Sequence, residues 1–342
     1  MTTMQAAKWV DTNKMELDEI EVPTLPENWA LVEVAFNGIC GSDLGILHGG
    51  HPRATHGLVP GHEISGRIAD PGSTGLEVGT LVAVEPLISC GQCGACRSGN
   101  THVCKNLKLY GIDTPGGLAR FAAFPAEVIH LVPESVGAQT AALVEPLAVA
   151  VHAIQMSGLQ RGDTVAIAGG GPIGILTALV AQDAGAEEII LSEPSPWRRE
   201  VAKKYGFSVV EPDVSLTDAA LAATEGEGVD VFFDTAGHPA VTGDYTSATR
   251  VRGTIVVVGV HKKPAAVDLQ GVCFKEQTLK GVRVYTSEDF ERAIELIADD
   301  RLSLANFPVK VYELQDIEEA FEAADKGADC LKVLITPGGN KA

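Results

Sequence analysis

The sequence predicts an α/β protein in which a β-rich domain is interrupted by a doubly wound domain with a parallel sheet. Short β-like runs fill the first part of the chain, apolar strands alternate with helices from about Asp163, and strand and helix patterns return from about Leu302. A chain of 342 residues with 45% apolar content is long enough to bury two cores. The expected domains are residues 1–148, residues 149–298 and, returning to the first domain, residues 299–342.

The first and last parts of the chain have the patterns of one β-rich domain. The runs "ALVEVAF", "HEISGRIA" and "TLVAVEP" are β-like, and clusters of Gly, Pro and Asn separate them. The final stretch, "LANFPVKVYELQDIEEAFEAADKGADCLKVLITPG", predicts strand, amphipathic helix and strand. It could extend the parallel sheet, but its pattern fits better as the closing piece of the first domain.

The middle of the chain has the pattern of a parallel sheet. The runs "TVAIAG", "EIILSE", "VDVFFDTAG", "GTIVVVGV" and "QTLKGVRVY" are apolar, and "PIGILTALVAQDAG" after the first of them is helical. Such strands are buried on both faces by helices. Strands of this kind, alternating with helices, predict a doubly wound fold, a class that binds nucleotides.

Composition excludes several classes of partner. A formal net charge of -19 would repel phosphate backbones and anionic lipid, so we expect no nucleic-acid and no membrane partner. The N-terminus lacks the features of a signal peptide, and no apolar run reaches the ~18 residues of a membrane span. We therefore expect a cytoplasmic enzyme. In that reducing compartment, its seven cysteines are better explained as metal ligands than as disulfides.

A glycine-rich turn predicts a dinucleotide site. In "VAIAGGGPIGILTAL", Gly169, Gly171 and Gly174 form G-x-G-x-x-G directly after a strand and before a helix. The first glycine permits the tight turn, the second lets a pyrophosphate approach, and the third lets helix and strand pack closely. The phosphates would then bind at the helix N-terminus.

The next strand indicates which dinucleotide binds. It ends at Glu193, whose carboxylate suits a ribose 2′-hydroxyl and repels a 2′-phosphate, which favours NAD over NADP. Arg198 and Arg199 follow closely and could instead receive a phosphate, although a solvated helix face explains them as well. The candidate cofactor-binding residues are Gly169, Gly171, Pro172, Ile173, Gly174, Glu193, Arg198, Val258 and Gly259.

Four cysteines predict a structural metal site. Their C-x2-C-x2-C-x7-C spacing lets one loop wrap four thiolates around a tetrahedral zinc ion with no open position. An iron–sulfur cluster is an alternative, but the bacterial motif has three residues before its last cysteine and a proline after it. A zinc ribbon that binds nucleic acid is a second alternative, which the acidic chain disfavours. The four ligands are Cys90, Cys93, Cys96 and Cys104.

A second set of zinc donors is dispersed along the chain. It comprises Cys40 in "GICGSDLG", His62 and Glu63 in "VPGHEISG", and Glu145 in "AALVEPLAVAVHA". Ligands from several segments suit a catalytic ion that keeps one position open. Taken singly, each residue has a better structural explanation: Cys40 as a buried small residue, His62 as a core histidine and Glu145 as a helix cap. An extended "HEISG" would turn His62 and Glu63 to opposite faces, which makes Glu63 a neighbouring or exchanging ligand. Pro146 favours an extended Glu145 with a helix starting at the proline.

These motifs together resemble a known family. "GICGSD", "PGHEISG", the cysteine loop, "LVEPLAVAVHA" and "AGGGPIG" have the order and spacing of the zinc-dependent medium-chain alcohol and polyol dehydrogenases, over essentially the whole chain. "VEPLISCGQCGACRSG", "LSEPSPWRREVAKKYG" and "FKEQTLKGV" are most similar to the (R,R)-butanediol dehydrogenase branch, with sorbitol and threonine dehydrogenases as neighbours.

The resemblance implies a fold, cofactors and an assembly. The expected architecture is a GroES-like catalytic domain interrupted by a Rossmann domain. The expected cofactors are NAD and two zinc ions per chain, one catalytic and one structural. The substrate would be a small alcohol or diol, and the enzyme would be a homo-oligomer, either a dimer or a tetramer.

The resemblance also implies roles for individual residues. Cys40, His62 and Glu145 would bind the catalytic zinc, with Glu63 close by, and Asp43 would orient His62. Ser42 would accept the proton of an alcohol activated by zinc. The residues implied in catalysis are Ser42, Asp43, Glu63 and His48.

The sequence departs from the family at two places. Most relatives end the proton relay with a histidine where this chain has Gly45, so either His48, His51 or water would take its place. Sorbitol dehydrogenases have an aromatic residue where this chain has Ile46, and an arginine where it has Val284. We therefore expect a vicinal diol or small secondary alcohol. Polyol or amino-alcohol dehydrogenases, and a dinucleotide-binding protein without catalysis, are the alternatives.

Overall fold

The computed structural model describes residues 3–338 and divides the chain into two compact units. The first unit contains the residues up to Glu145 and those from Thr286 onward, and the second unit is Pro146–Tyr285. We expected the chain to return to its first domain at residue 299, so the structure places this return earlier. The reason is that the helix over Ser287–Ala298 packs within the first unit, where the Ser287 hydroxyl donates to Glu85 Oε1 (3.2 Å).

The first unit begins with nine strands and three short helices. Its strands are β1 (Thr3–Asp11), β2 (Lys14–Glu21), β3 (Trp29–Gly38), β4 (Glu63–Asp70), β5 (Leu81–Val84), β6 (Leu87–Ile88), β7 (Lys108–Leu109), β8 (Phe121–Pro125) and β9 (Ile129–Leu131). Its helices are α1 (Gly41–Leu47), α2 (Gly94–Arg97) and α3 (Ala138–Ala141), with 3₁₀ turns at Thr101–Val103, Ala126–Val128 and Glu134–Val136.

The second unit alternates strands and helices, and the last part of the chain then completes the first unit. The boundary between the units falls inside α4 (Val144–Ser157). The elements of the second unit are β10 (Thr164–Ala168), α5 (Pro172–Ala184), β11 (Glu188–Ser192), α6 (Pro196–Lys204), β12 (Ser208–Val209), α7 (Leu216–Ala223), β13 (Val229–Asp234), α8 (Tyr245–Ala248), β14 (Thr249–Val257), α9 (Leu269–Phe274) and β15 (Thr278–Gly281). The returning elements are α10 (Ser287–Ala298), β16 (Val309–Glu313), α11 (Ile317–Lys326) and β17 (Lys332–Thr336).

The first unit is built on a seven-stranded sheet in the order β16-β17-β3-β4-β5-β9, with β8 also paired to β3. Inward side chains such as Val32, Ile64, Val82 and Phe124 form its core cluster. Strand β17 pairs antiparallel with β3, and β3 pairs antiparallel with β4, so Gly38 lies opposite both Leu334 and Glu63. The returning segment therefore inserts a strand beside the one that leads to Cys40.

The second unit contains a six-stranded parallel sheet in the order β12-β11-β10-β13-β14-β15. This is the order of a doubly wound dinucleotide-binding sheet, and it confirms the predicted fold class. Four neighbouring strands end in register at Ser192, Ala168, Asp234 and Val257. The loops that follow them lie at one edge of the sheet, where ligands of this fold bind. Within residues 3–338, none of the helices has the length and apolar character needed to cross a membrane.

Candidate functional site

Cys40 lies where β3 gives way to α1. It is the residue before the helix, and its backbone N–H donates to Asp43 Oδ2 (2.9 Å). An acid at the third helical position stabilises a helix N-terminus in this way. Asp43 is almost completely buried, so the sequence "CGSD" fixes the cysteine and the carboxylate with respect to each other.

His62 faces both Ser42 and Asp43. It is buried and follows Gly61, whose φ of +98° is in the left-handed region, just before β4 starts. His62 Nδ1 lies 3.6 Å from Asp43 Oδ1, and Nε2 lies 3.3 Å from Ser42 Oγ. Burial alone would lower the pKa of His62, but the Asp43 carboxylate and Cys40 raise it well above its usual value. The Asp43 carboxylate therefore lies beside the imidazole, at a distance slightly longer than a hydrogen bond.

Cys40, His62 and Glu63 form one group of potential metal ligands. One ligand atom from each lies within 4.8 Å of the other two. Zinc bonds of about 2.0–2.3 Å separate ligand atoms by roughly 3.3–3.8 Å, so a small contraction would close this group on an ion. The expectation that His62 and Glu63 face opposite sides required an extended "HEISG", but β4 starts only at Glu63, after the left-handed Gly61, and one ligand atom of each residue lies within 4.8 Å of the other.

A buried lysine holds Glu63. Glu63 lies opposite Gly38 in the paired strands β3 and β4. A Cβ added at Gly38 would lie 1.9 Å from Glu63 Oε2, so the carboxylate occupies space that is free only because residue 38 has no side chain. Glu63 Oε1 accepts from Lys332 Nζ at 2.6 Å, and Nζ also donates to Ile39 O at 3.3 Å. Within residues 3–338, the buried Oε2 has no hydrogen-bond partner.

Lys332 keeps its charge although it is buried. Burial lowers its pKa, but Glu63, Cys40 and Glu145 raise it, and the net pKa is above the usual value. Sequence analysis missed this residue. The signal was a lysine within the apolar run "CLKVLI", because lysine is almost never fully buried unless it is paired.

Glu145 is buried in the first turn of α4, so the expectation of an extended Glu145 was wrong. Helix α3 ends at Ala141, and Ala142 keeps helical angles, so the chain enters α4 before Pro146. A proline is tolerated in a first turn because its missing N–H would have no helical partner. Glu145 lies outside the group of three, but its charge acts on Lys332.

His48, which we predicted in catalysis, contacts Asn13 and Asp325 in the structure. The Nδ1 atom of its half-exposed ring lies 2.7 Å from Asn13 Oδ1, and its Nε2 lies 3.3 Å from Asp325 Oδ1. Both ring nitrogens therefore have partners outside the group of potential metal ligands.

His51 lies beside the glycine that replaces the relay histidine. The N–H groups of Gly50 and His51 both donate to the Gly45 carbonyl, at 2.9 and 3.1 Å. Among residues 3–338, apart from the adjoining residues and helix backbone, nothing lies within 4 Å of a Cβ added at Gly45. Burial and the Arg53 guanidinium lower the pKa of His51 below its usual value. The charges of Asp43 and His62 also act on this pKa, and Nδ1 of the ring accepts from Arg53 N at 3.4 Å.

The four clustered cysteines form a second group of potential ligands. Cys93 Sγ lies 3.5 Å from Cys96 Sγ and 3.9 Å from Cys104 Sγ. A tetrahedral zinc site with zinc–sulfur bonds of about 2.3 Å places its sulfur atoms about 3.8 Å apart, so the group fits zinc. Backbone N–H groups of Cys96 and Lys105 lower the pKa of Cys93 to about 6. Burial and the neighbouring thiols raise the pKa of Cys96 to about 11, a conflict that a bound cation removes.

The glycine-rich turn has the geometry of a phosphate site. Gly169 has a φ of +107°, and an added Cβ at Gly174 would lie 1.8 Å from Gly169 O. Gly171 caps α5, which starts at Pro172 and Ile173. The helix therefore presents unpaired N–H groups beside a backbone that a ligand can approach closely.

Glu193 faces this turn. Its Oε2 accepts from Gly170 N at 2.7 Å, and its Oε1 accepts from Ser195 N at 2.8 Å. The two arginines that follow Glu193 in the sequence, Arg198 and Arg199, differ in position. Arg199 donates to the Glu193 and Pro194 carbonyls, whereas an Arg198 nitrogen lies 3.7 Å from a Cβ added at Gly171. The Arg198 side chain therefore lies at the glycine turn and adds positive charge there.

Val258 and Gly259 follow β14 at the same edge of the sheet. Their N–H groups donate to the Asp234 carbonyl at 2.9 and 2.8 Å. An added Cβ at Gly259 would lie 2.3 Å from Gly237 N, so the loops after β13 and β14 pack backbone to backbone. All the predicted cofactor-binding residues thus lie in loops or a helix start at one sheet edge.

Comparison with known proteins identifies the family. Residues 26–134 match the alcohol dehydrogenase GroES-like domain, and residues 172–299 match the zinc-binding dehydrogenase domain. The 2-dehydro-3-deoxy-L-galactonate 5-dehydrogenase of Pseudoalteromonas atlantica is 38% identical, covering 97% of this chain and 98% of that protein. The sorbitol dehydrogenase of Bacillus subtilis is 30% identical, covering 98% and 97%.

A solved structure agrees with this result. The crystal structure of the 2R,3R-butanediol dehydrogenase of Bacillus subtilis superposes with a TM-score of 0.90 at 30% identity, covering 98% of this chain and 99% of that one. The family predicted from the motifs is thus confirmed, together with its sorbitol and butanediol dehydrogenase neighbours. The chain belongs to the zinc-dependent medium-chain alcohol and polyol dehydrogenase family.

Proposed function

We propose that the protein oxidises the secondary hydroxyl of a vicinal diol or related polyol to a ketone, with NAD and two zinc ions per chain. The observation that carries this proposal is the group of Cys40, His62 and Glu63, of which His62 and Glu63 are buried and Cys40 is partly buried, with Ser42 and Asp43 beside it. A zinc ion held there would favour the alkoxide over the alcohol, and the nicotinamide would take the hydride.

The donor set supports a catalytic rather than a structural site. Cys40, His62 and Glu145 are the proposed ligands, and three protein ligands leave a fourth position for substrate. Glu63 is the neighbouring carboxylate. Because Lys332 binds one of its oxygens, Glu63 is restrained beside the ion, and the ammonium offsets part of the negative charge of the ligands.

The chain's own residues would carry the proton away from the alcohol. Ser42 Oγ lies beside His62, so its hydroxyl is the proposed first acceptor. His51 is the proposed next carrier, because its backbone is bound to Gly45 and its ring is within electrostatic range of Asp43 and His62. This revises the role that we expected for His48.

Replacing the two histidines separately tests this path. We expect His51→Gln to lower kcat for alcohol oxidation at neutral pH by about tenfold, since positioned proton transfer contributes at least this much. Added imidazole should recover part of the loss. The control is His48→Gln, which removes a ring that bonds Asn13 and Asp325 and should change kcat less than twofold. A large loss in His48→Gln alone would assign the relay to His48 instead.

NAD is the proposed dinucleotide. Glu193 is buried, accepts two backbone N–H groups and faces the glycine turn, so its carboxylate suits a ribose hydroxyl and opposes a 2′-phosphate. Arg198 adds a positive charge near the same turn, which suits the pyrophosphate. Arg199 is bound to backbone carbonyls on its own loop, which leaves it less free to receive a phosphate.

The substrate proposal combines the relatives with the sequence. The names of the relatives cover a diol, a polyol and a sugar acid. All three substrates carry hydroxyls or related oxygen groups on adjacent carbons, and this chemistry is what we carry over to this chain. Ile46 and Tyr285 are fully buried, and the chain lacks the arginine typical of sorbitol dehydrogenases, which supports a compact diol over a long polyol.

An initial-rate panel tests the function. The alcohols are the 2,3-butanediol isomers, C4 to C6 polyols, an aldonic acid and L-threonine, each with NAD and with NADP. We expect one butanediol isomer to be among the fastest substrates, and NAD to exceed NADP by at least about tenfold in kcat/KM. Activity with sorbitol alone would contradict the preference for small diols. Absence of cofactor reduction with every alcohol would overturn the proposal.

The assembly and the compartment are also proposals. Strand β15 is an edge strand of the parallel sheet, and Leu279 on it and Phe274 before it are exposed. An exposed strand edge with apolar neighbours favours pairing with a second copy, so we propose a homo-oligomer. Zinc binding requires a reduced thiol at Cys40 and at each of the four clustered cysteines, which supports a cytoplasmic enzyme.

A further inference from the structure

Asp234 is the most densely hydrogen-bonded carboxylate of the second unit's candidate cofactor edge. It is fully buried at the end of β13. Its Oδ1 accepts from Ala236 N and Gly237 N, both at 2.9 Å. Its Oδ2 accepts from Tyr245 OH at 2.7 Å and from His261 Nε2 at 2.8 Å. A carboxylate has about four acceptor sites, so this network is complete.

The same residue joins two loops. The Asp234 carbonyl accepts from Val258 and Gly259, while its carboxylate binds the loop after β13 and, through His261, the loop after β14. The loop after β13 is bound in turn to the glycine turn, since Thr235 Oγ1 donates to the Ala168 and Gly169 carbonyls at 2.9 and 3.0 Å. A change at Asp234 would therefore be transmitted to the glycine-rich turn through these hydrogen bonds.

His261 is the side chain that binds the loop after β14 to Asp234. Its neighbour Val260 is almost fully exposed, whereas the His261 ring turns inward to Asp234. Because Nε2 donates to the carboxylate, the neutral ring has an acceptor at Nδ1. Within residues 3–338, that buried Nδ1 has no hydrogen-bond partner. The hydrogen-bond contacts of the ring are therefore at Nε2, which lies 2.8 Å from Asp234 Oδ2 and 3.5 Å from Tyr245 OH.

We propose that His261 is a positioning residue for the dinucleotide. By donating to Asp234, it holds the loop that carries Val258 and Gly259 in the conformation that binds the cofactor. The inference rests on the proposed NAD site of the second unit. It goes beyond that proposal in assigning a cofactor-binding role to an Asp–His pair outside the glycine motif.

The alternative is that His261 only stabilises the fold. Tyr245 provides a matched control, because it donates to the same Asp234 oxygen but lies in the core against Phe232, with ring centroids 5.5 Å apart. Both side chains stabilise the second unit under either explanation. Only the positioning role predicts that replacing His261 weakens cofactor binding while replacing Tyr245 leaves the affinity for the cofactor unchanged.

The test is NADH binding by fluorescence titration in the full-length protein, with KM for NAD, kcat and the melting temperature measured in parallel. We expect His261→Leu to raise the Kd for NADH and the KM for NAD by about tenfold, the loss of one hydrogen bond to a charged group. The kcat at saturating NAD should change less than threefold. His261→Gln can still donate from its amide and should recover most of the affinity, and Tyr245→Phe should lower the melting temperature with Kd within twofold.

Two results would overturn the inference. One is His261→Leu with wild-type affinity for NADH, and the other is an equal loss of affinity in Tyr245→Phe. Wild-type protein that binds neither NADH nor NADPH would instead overturn the proposed function, and with it this inference. The two failures are therefore distinguished by the wild-type titration.

Discussion

Cys40→Ala should retain one zinc ion per chain and lose at least about 100-fold in kcat for alcohol oxidation. A metal ion stabilises the charge that develops on the substrate oxygen by several kcal/mol, and each ~1.4 kcal/mol corresponds to tenfold in rate. Cys40 supplies the thiolate of the group that contains His62 and Glu63. Without it, the remaining ligands would bind zinc weakly.

The measurement is zinc per chain by atomic emission together with the initial rate. Cys273→Ser is the control, because Cys273 is exposed on α9 and lies outside both groups of potential ligands. It should keep two zinc ions and full activity. A Cys40→Ala variant that keeps both ions and its activity would remove Cys40 from the catalytic site.

Cys104→Ser should lose the other zinc ion and lower the melting temperature by at least about 5 °C. The lobe around it contains the two-residue strands β6 and β7, the four-residue helix α2 and the 3₁₀ turn at Thr101–Val103, all of which are too short to be stable alone. Structural zinc supplies folding free energy in such lobes, and a loss of ~2 kcal/mol shifts the melting temperature by roughly 4–8 °C. Cys104 Sγ also accepts from Cys90 N and Asn106 N.

The control for this variant is Cys330→Ser, since Cys330 is buried to a similar extent but belongs to neither ligand group. Calorimetry and metal analysis should show two zinc ions in that variant and a smaller change in melting temperature. If both variants melt alike with two zinc ions each, the four cysteines are not a zinc site.

Local patterns in the sequence were enough for most of the fold. The continuous apolar runs and the G-x-G-x-x-G turn predicted the parallel sheet, because both signals are local. The two-residue strand β12 was not among the runs, since its pattern is too short to stand out. The sequence analysis also missed that the chain returns to the first unit at Thr286. The sequence of an amphipathic helix such as α10 does not show which sheet the helix packs on.

The site was less predictable where it depends on three-dimensional placement. The spacing of Cys90 to Cys104 predicted one compact group, and the structure brings the four sulfur atoms together. The pairing of Glu63 with Lys332 joins residues that are distant in the chain, and it depends on the strand order β17-β3-β4 and on Gly38. No local pattern encodes such a contact.

The two histidines show the same limit. His48 and His51 are near each other in sequence and equally plausible from it. The end of α1 turns His48 toward Asn13 and Asp325, and the following loop folds His51 back onto Gly45. The proposal of His51 rather than His48 therefore rests on the path of the loop, which no local pattern in the sequence encodes.

Transfer of deuterium from a labelled alcohol to NAD tests the central claim most directly. The fastest alcohol of the panel, deuterated at the carbon that bears the hydroxyl, is incubated with NAD, and the reduced cofactor is analysed by mass spectrometry while a chelator removes zinc stepwise. We predict that each reduced cofactor carries one deuterium, that transfer has stopped when both zinc ions are lost, and that added zinc restores it. Reduced cofactor without deuterium, or full-rate transfer by protein that has lost both zinc ions, would contradict the account.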